Sequence, residues 1–173
     1  MNLLIISSAP FIYKDHLIYA YSPYVNELLI WDKYADSISF CCPEWESEND
    51  LLVEKIPFSI KKHYKLLDFN LNTFLSAISA FFLNFKNLFV LYKAMRSADH
   101  IHLRCPGNIG LLGCLVQIAF PSKPKTAKYA GNWDPKSKQP WSYKMQKRIL
   151  SNTFLTRNMQ VLVYGEWEGS TSN

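Results

Sequence analysis

Along the first sixty residues, apolar runs of strand length alternate with stretches of helical spacing. Asn2 to Ser8 is an apolar run closed by a turn-like Ser-Ala-Pro, which predicts a strand followed by a loop from Phe11 to Tyr19. Tyr24, Val25, Leu28, Leu29 and Trp31 then recur at helical spacing behind the start signal Ser22-Pro23, predicting a helix to about Tyr34. Ser37 to Cys42 and Leu51 to Phe58 read as two further strands, joined by a solvated acidic connection from Glu44 to Asp50. From Lys61 to Arg96 the pattern is helical and unusually apolar, with a break expected near Asn84. Its greasiest run, Thr73 to Leu83, is bracketed by Asn70, Asn72, Asn84, Lys86 and Asn87 and falls short of the ~20 apolar residues a bilayer span needs.

The stretch Asp99 to Gly113 organises the second half of the chain. Ile101 and Leu103 alternate with His100, His102 and Arg104, the pattern breaks at Pro106-Gly107, and helical spacing restarts at Ile109. Strand, tight turn and helix make a βα unit. A helix from Ile109 to Phe120, a strand from Lys125 to Ala130, a loop Gly131 to Pro135, a basic helix from Pro140 to Leu155 and a strand from Gln160 to Tyr164 complete the order before a polar tail, Gly165 to Asn173. About six strands with helices between most of them predict a Rossmann-like αβα domain of three layers with a mostly parallel sheet. In such sheets ligands bind outside the carboxyl ends of the strands, which draws attention to Arg104, Cys105, Pro106, Gly107 and Asn108.

Composition narrows this picture. A chain of 173 residues, 49% hydrophobic and 15% aromatic with only 6 glycines, suits one folded domain with a substantial core. Cys41, Cys42, Cys105 and Cys114 sit in or beside apolar runs without C-x-x-C spacing and read as reduced core residues. The N-terminus lacks the basic start and long apolar middle of a signal peptide, so a cytoplasmic location is expected. Residues 1–99 carry 9 Lys and Arg against 11 Asp and Glu, whereas residues 100–173 carry 10 against 3. A basic half of that kind can face an acidic ligand, a membrane surface or nucleic acid.

Each candidate motif has an ordinary reading beside the functional one. Gly107, Gly110 and Gly113 are spaced G-x-x-G-x-x-G, unlike the dinucleotide fingerprint G-x-G-x-x-G, and Gly110 and Gly113 share a helix face suited to close packing on a sheet. The turn at Gly107-Asn108 remains a helix N-terminus where an anion or hydroxyl could bind. His100 and His102 point to one face of a strand, but metal binding would need a third ligand, and His16 and His63 are isolated in sequence. There is no Asp-x-Asp, no phosphate-binding P-loop and no G-x-S-x-G elbow, which argues against kinases, nucleotide hydrolases and esterases of the common kinds. Nine basic residues and one acid between Lys123 and Arg157, interleaved with Tyr129, Trp133, Trp141 and Tyr143, fit a solvated helix face, single-stranded nucleic acid or anionic lipid.

The order of elements, with Ala98-Asp-His-Ile-His-Leu-Arg-Cys-Pro and Lys128-Tyr-Ala-Gly-Asn-Trp-Asp-Pro, resembles the N-terminal, acceptor-side domain of family-four glycosyltransferases of the GT-B fold. The resemblance runs from Met1 to about Glu168, with 169–173 as the start of an interdomain linker. It implies a retaining, metal-independent enzyme that transfers sugar from a nucleotide-sugar to a glycan or lipid-linked acceptor. No cofactor is implied, and the nucleotide-sugar would be held mainly by a C-terminal domain or separate subunit. Glu166 and Glu168 are too close together to be that domain's glutamate pair. The glycine-rich first loop of the family is replaced here by Ser7-Ser-Ala-Pro-Phe-Ile-Tyr-Lys, and its histidine after the fifth strand by Ala130-Gly-Asn-Trp. The site implied is Arg104 and His102 at the reacting centre, with Lys14, His16, Pro106, Gly107, Asn108, Asn132 and Trp133 around the acceptor. Peripheral contact with the inner face of the membrane is compatible with that role, and a membrane-interface protein without activity, docking through Lys61 to Lys65 and the greasy helix after it, is a separate reading. The alternative is a non-catalytic module whose basic aromatic half binds nucleic acid or an anionic membrane.

Overall fold

The computed structural model describes residues 1–68, 74–134 and 137–164, and for 74–84 only the course of the helix. Asn70, Asn72, Pro135, Glu166, Glu168, the tail, and the side chains of Thr73 to Asn84 lie outside the described residues.

Six strands form one wholly parallel sheet: β1 (Asn2–Ile6), β4 (Ser37–Cys42), β7 (Ile60–Lys65), β8 (His100–Cys105), β9 (Lys125–Tyr129) and β10 (Met159–Val163). Their order is β10-β9-β8-β1-β4-β7. Counted in chain order within this sheet, that is 3-2-1-4-5-6 read from the β7 side, the doubly wound order of dinucleotide-binding domains. The direction of winding reverses between β1 and β8, and the crevice at their carboxyl ends is the switch point.

Among the described residues four helices cover the sheet: α1 (Ser22–Asp32), α2 (Phe74–Ser97), α3 (Asn108–Val116, extended by a 3-10 turn over Gln117–Ala119) and α4 (Trp141–Leu150). One face packs Leu4, Ile6, Ile101, Leu103 and Ala127 against Leu91, Met95, Leu112 and Ile149 of α2, α3 and α4. The opposite face packs Leu3, Ile5, Ile38 and Phe40 under Tyr24, Val25 and Leu28 of α1. Alternation along β8 thus gives Ile101, Leu103 and Cys105 to the first core and leaves His102 and Arg104 on the α1 side.

Several sequence expectations change. The segment 11–19 is not a loop but a hairpin, β2 (Phe11–Lys14) and β3 (Leu17–Tyr21), turning through Asp15 and His16 at φ 50° and 61°. Positive φ at both central residues is the two-residue turn that matches strand twist. This hairpin joins β5 (Glu44–Trp45) and β6 (Val53–Lys55) in a separate four-stranded sheet, so the expected connection after Pro43 and the expected strand 51–58 both become parts of it. Ile60–Lys65, expected as helix, is an edge strand of the main sheet, and α2 runs unbroken through position 84. Asn87, expected to bracket the apolar run, instead turns its buried amide to the backbone of Leu67: Oδ1 accepts the Leu67 N–H at 2.9 Å and Nδ2 donates to the Leu67 carbonyl at 2.8 Å. The two edges of the main sheet differ in character, β7 carrying Lys61, Lys62 and Lys65 and β10, Met-Gln-Val-Leu-Val, no charge at all.

The glycines of α3 serve close packing. A methyl group on Gly110 would lie 2.8 Å from the Arg104 carbonyl, and one on Gly113 2.9 Å from Leu103 Cδ2, so the helix sits on β8 at a distance only glycine permits. No helix among the described residues is long and apolar enough to cross a membrane.

Candidate functional site at the switch point

Two neighbouring strands, β8 and β9, and one helix bring a compact polar cluster to the α1 side of the sheet. Glu27, on the face of α1 between Tyr24 and Trp31, accepts hydrogen bonds at one oxygen, Oε2, from Arg104 Nη1 at 2.9 Å and from Lys128 Nζ at 2.8 Å. All three side chains are only 16–24% exposed. Parallel pairing in register, His102 with Thr126 and Arg104 with Lys128, is what lines these residues up on neighbouring strands. The second Glu27 oxygen, Oε1, makes no hydrogen bond among the described residues and lies 3.8 Å from His102 Nε2.

Arg104 is fixed from the other side by the Tyr24 ring, whose centroid lies 3.8 Å from Cζ. A cation over an aromatic face in a partly desolvated place contributes roughly 0.5–2 kcal/mol. Burial, above all, pushes the Tyr24 phenol well up from its usual range, so it stays protonated. Lys128 lies beside Tyr164, 5.3 Å from the ring centroid. Burial disfavours the Lys128 charge, but its bonds to Glu27 and Tyr164 outweigh that and raise its pKa.

His102 is fully enclosed. Its Nδ1 lies 2.8 Å from Thr126 Oγ1, which is also 3.1 Å from His100 Nε2, and Trp31 packs on the ring at 4.8 Å between centroids. A single hydroxyl proton serves one imidazole only, so Thr126 donates to one ring and accepts from the other. Burial first, then the charges of Arg104, His100 and Lys128, lowers the His102 pKa to about 3. His102 is therefore a neutral ring at physiological pH, and its Nε2 is a buried atom without a hydrogen-bond partner among the described residues.

At the switch point itself, Ser7 and Ser8 leave β1 opposite the turn that starts α3. A Cβ on Gly107 would come within 2.3 Å of Ser8 Oγ, so the Gly107 backbone lies directly against the Ser8 side chain. Ser8 Oγ is buried and makes no hydrogen bond among the described residues. The loops after β8 and β9 are likewise joined, by the Ala130 N–H donating to the Cys105 carbonyl at 2.7 Å and by Pro106 against Gly131.

The structure gathers some of the residues singled out from sequence and separates others. His102 and Arg104 share the Glu27 cluster, and Pro106, Gly107 and Asn108 form the adjoining turn at the head of α3. Lys14 is bound to Glu48 at 3.3 Å and His16 is exposed in the hairpin turn, both on the second sheet. Asn132 closes its own loop, accepting the Asp134 N–H at 2.8 Å and the Gln139 amide at its carbonyl. Trp133 packs edge-on against Tyr129 at 5.1 Å on the core side that holds α3 and α4, the opposite side of the sheet from Arg104. Glu27, Tyr24, Trp31, Thr126 and Lys128 escaped the sequence reading as site residues. Glu27 had a signal, an acid at helical spacing between buried aromatics, but Lys128 needed the strand register.

Among the described residues no three His, Cys, Asp or Glu side chains come together as metal ligands. All four cysteines are free and buried, with Cys105 and Cys114 in contact at 3.7 Å between sulfurs. The cluster is a net cationic one, two permanent cations sharing a single carboxylate, at the end of the sheet where this topology places ligands.

The sequence matches no known family model and no curated protein. Among solved structures, the fold is similar to the crystal structure of UDP-N-acetylglucosamine 2-epimerase, with a TM-score of 0.50 and 9% identity over 86% of this chain. The likeness covers 38% of that chain, so this protein spans well under half the length of its structural neighbour. At such identity the similarity is one of fold: a Rossmann-like α/β domain also found in a sugar-processing enzyme.

Proposed function

We propose that this domain is the acceptor-side half of a nucleotide-sugar-dependent glycosyltransferase acting on a glycan or lipid-linked acceptor. The observation that carries the reading is Glu27 Oε1, a carboxylate oxygen that makes no hydrogen bond among the described residues and lies beside two cations, next to the switch-point crevice. Sugar transfer asks for an acceptor hydroxyl held and polarised, and for negative charge on the departing diphosphate to be met by fixed cations. Glu27 orients the hydroxyl in this reading, while Arg104 and Lys128 hold the anionic part of the acceptor or the leaving group. His102 is too acidic as an imidazolium to serve as a general acid near neutral pH, so its role here is to shape the wall beside Glu27. The donor would bind chiefly outside the described residues.

The fold neighbour's name favours a second reading within the same chemistry, in which a nucleotide-sugar is altered rather than transferred. Titration of the isotopically labelled chain with UDP-N-acetylglucosamine and with a short-chain polyprenyl-diphosphate N-acetylglucosamine separates the two. Perturbation of residues 102–108 and 128 by the lipid-linked sugar, weakened about tenfold or more in Arg104→Ala, is the result expected, since a bond to a charged group contributes ~1.5–3 kcal/mol. Response to neither compound would overturn the reading, and conversion of the UDP-sugar without an acceptor would replace it with the second.

A further inference from the structure

The outward side of α2 carries residues that water alone does not explain. Phe85, Phe89 and Tyr92, at i, i+4 and i+7, stand on one helical face and are 72%, 57% and 44% exposed. Leu115 of α3 extends the same apolar surface, and between the helices runs a groove of about 410 Å³ lined also by Leu88, Val116 and Ala119. Exposed apolar residues scattered singly are ordinary, but a contiguous set across two elements marks a contact surface.

The charges around this face have one sign. Lys86, Lys93 and Arg96 are exposed on α2, with Lys93 Nζ 4.4 Å from the Phe89 ring centroid, and the helix has no Asp or Glu anywhere in its 24 residues. Neither α3 nor the 3-10 turn carries a charge, and Asp99 is the one acid between positions 74 and 133. Its carboxylate is occupied at 2.7 Å by the Asn2 N–H, at the amino end of the sheet.

From this pattern we infer that the α2–α3 face docks on an anionic bilayer surface, aromatic side chains entering the headgroup layer and Lys86, Lys93 and Arg96 pairing with lipid phosphates. Aromatic and aliphatic side chains flanked by cations without acids are the composition of an interfacial helix. A second copy of the chain fits less well, because a two-fold contact through this face would set the same cations against themselves. The inference stands independently of the catalytic reading. It also differs from the membrane contact expected from sequence, which used Lys61 to Lys65 with the greasy helix after them: those lysines belong to the sheet edge, not to this face.

Flotation of the chain with vesicles of phosphatidylcholine plus phosphatidylglycerol, against phosphatidylcholine alone, tests it. Binding should require the anionic lipid, fall with salt, and drop about fivefold for removal of each cation, as in Lys93→Gln. The pair Phe85→Ser and Phe89→Ser should weaken it further with circular dichroism unchanged, whereas Lys62→Gln should leave it as it was. Phe89→Trp gives a second readout, a blue-shifted emission on adding the anionic vesicles. No flotation, flotation equally sensitive to Lys62→Gln, an unshifted emission from the Phe89→Trp variant, or self-association through this face without vesicle binding would each overturn the inference.

Discussion

Glu27 and Arg104, 77 positions apart in sequence, meet at 2.9 Å beneath α1, and Lys128 completes the set at 2.8 Å on the same carboxylate oxygen. Removing the carboxylate leaves two partly buried cations facing each other. Glu27→Gln should therefore cost about 1–3 kcal/mol, as read by urea unfolding, and more than Arg104→Met, which leaves Glu27 still paired with Lys128. A double-mutant cycle between Glu27→Gln and Arg104→Met should give a coupling of ~0.5–3 kcal/mol. Additivity of the two would mean that the pair is a proximity without energetic content.

His102 sets a pH dependence. Its pKa is lowered in the fold to about 3 from an ordinary 6.5, so between those values the unfolded chain binds a proton that the native one does not. Stability must then fall as pH drops from 6.5 toward 3, by at most about 5 kcal/mol at ~1.4 kcal/mol per pH unit. Burial also lowers His63 and His100, which add in the same direction over the upper part of the window. Equilibrium unfolding from pH 7 to pH 4 should show a steep loss in the native chain and a shallower one in His102→Gln. Equal slopes would mean that the ring is not enclosed as described.

Gly110 offers a test in which two effects oppose. Alanine inside a helix gains up to about 1 kcal/mol over glycine, but here its methyl group would lie 2.8 Å from a backbone carbonyl that cannot swing away. Overpacking of that kind costs ~1–3 kcal/mol, so Gly110→Ala should be destabilising by thermal melt, and a raised melting temperature would contradict the seating of α3 on β8.

The thiols should be silent. Cys41, Cys42, Cys105 and Cys114 are all buried, and burial pushes the pKa of Cys41 and Cys42 up, while Cys114 is raised first by its contact with Cys105 and then by burial. A thiol-reactive chromophore should label none of them in the native chain and all four after denaturation. Rapid labelling under native conditions would place at least one outside the core.

The parallel sheet was legible because its strands are buried on both faces and read as apolar runs, Ile101 and Leu103 among them. Ile60–Lys65 was not, because an edge strand half open to solvent can carry Lys61, Lys62, His63 and Lys65 without loss. The hairpin hid behind its turn: Asp15 and His16 take positive φ where glycine or asparagine would have announced it. Arg104 was found from its place before the break at Pro106. Glu27 and Lys128 were not, since a site assembled from a helix and two neighbouring strands exists only once register and packing are known.

The contrast between the two sheet edges governs how the chain behaves when it is handled. The lysines of β7 resist the approach of another strand, whereas Met159–Val163, unpaired on its outer side among the described residues, presents backbone donors and acceptors along an uncharged, partly apolar ribbon. Refolding at high concentration should accordingly lose material through one rim of the sheet, and yield should recover when Leu162, 42% exposed there, is replaced by lysine.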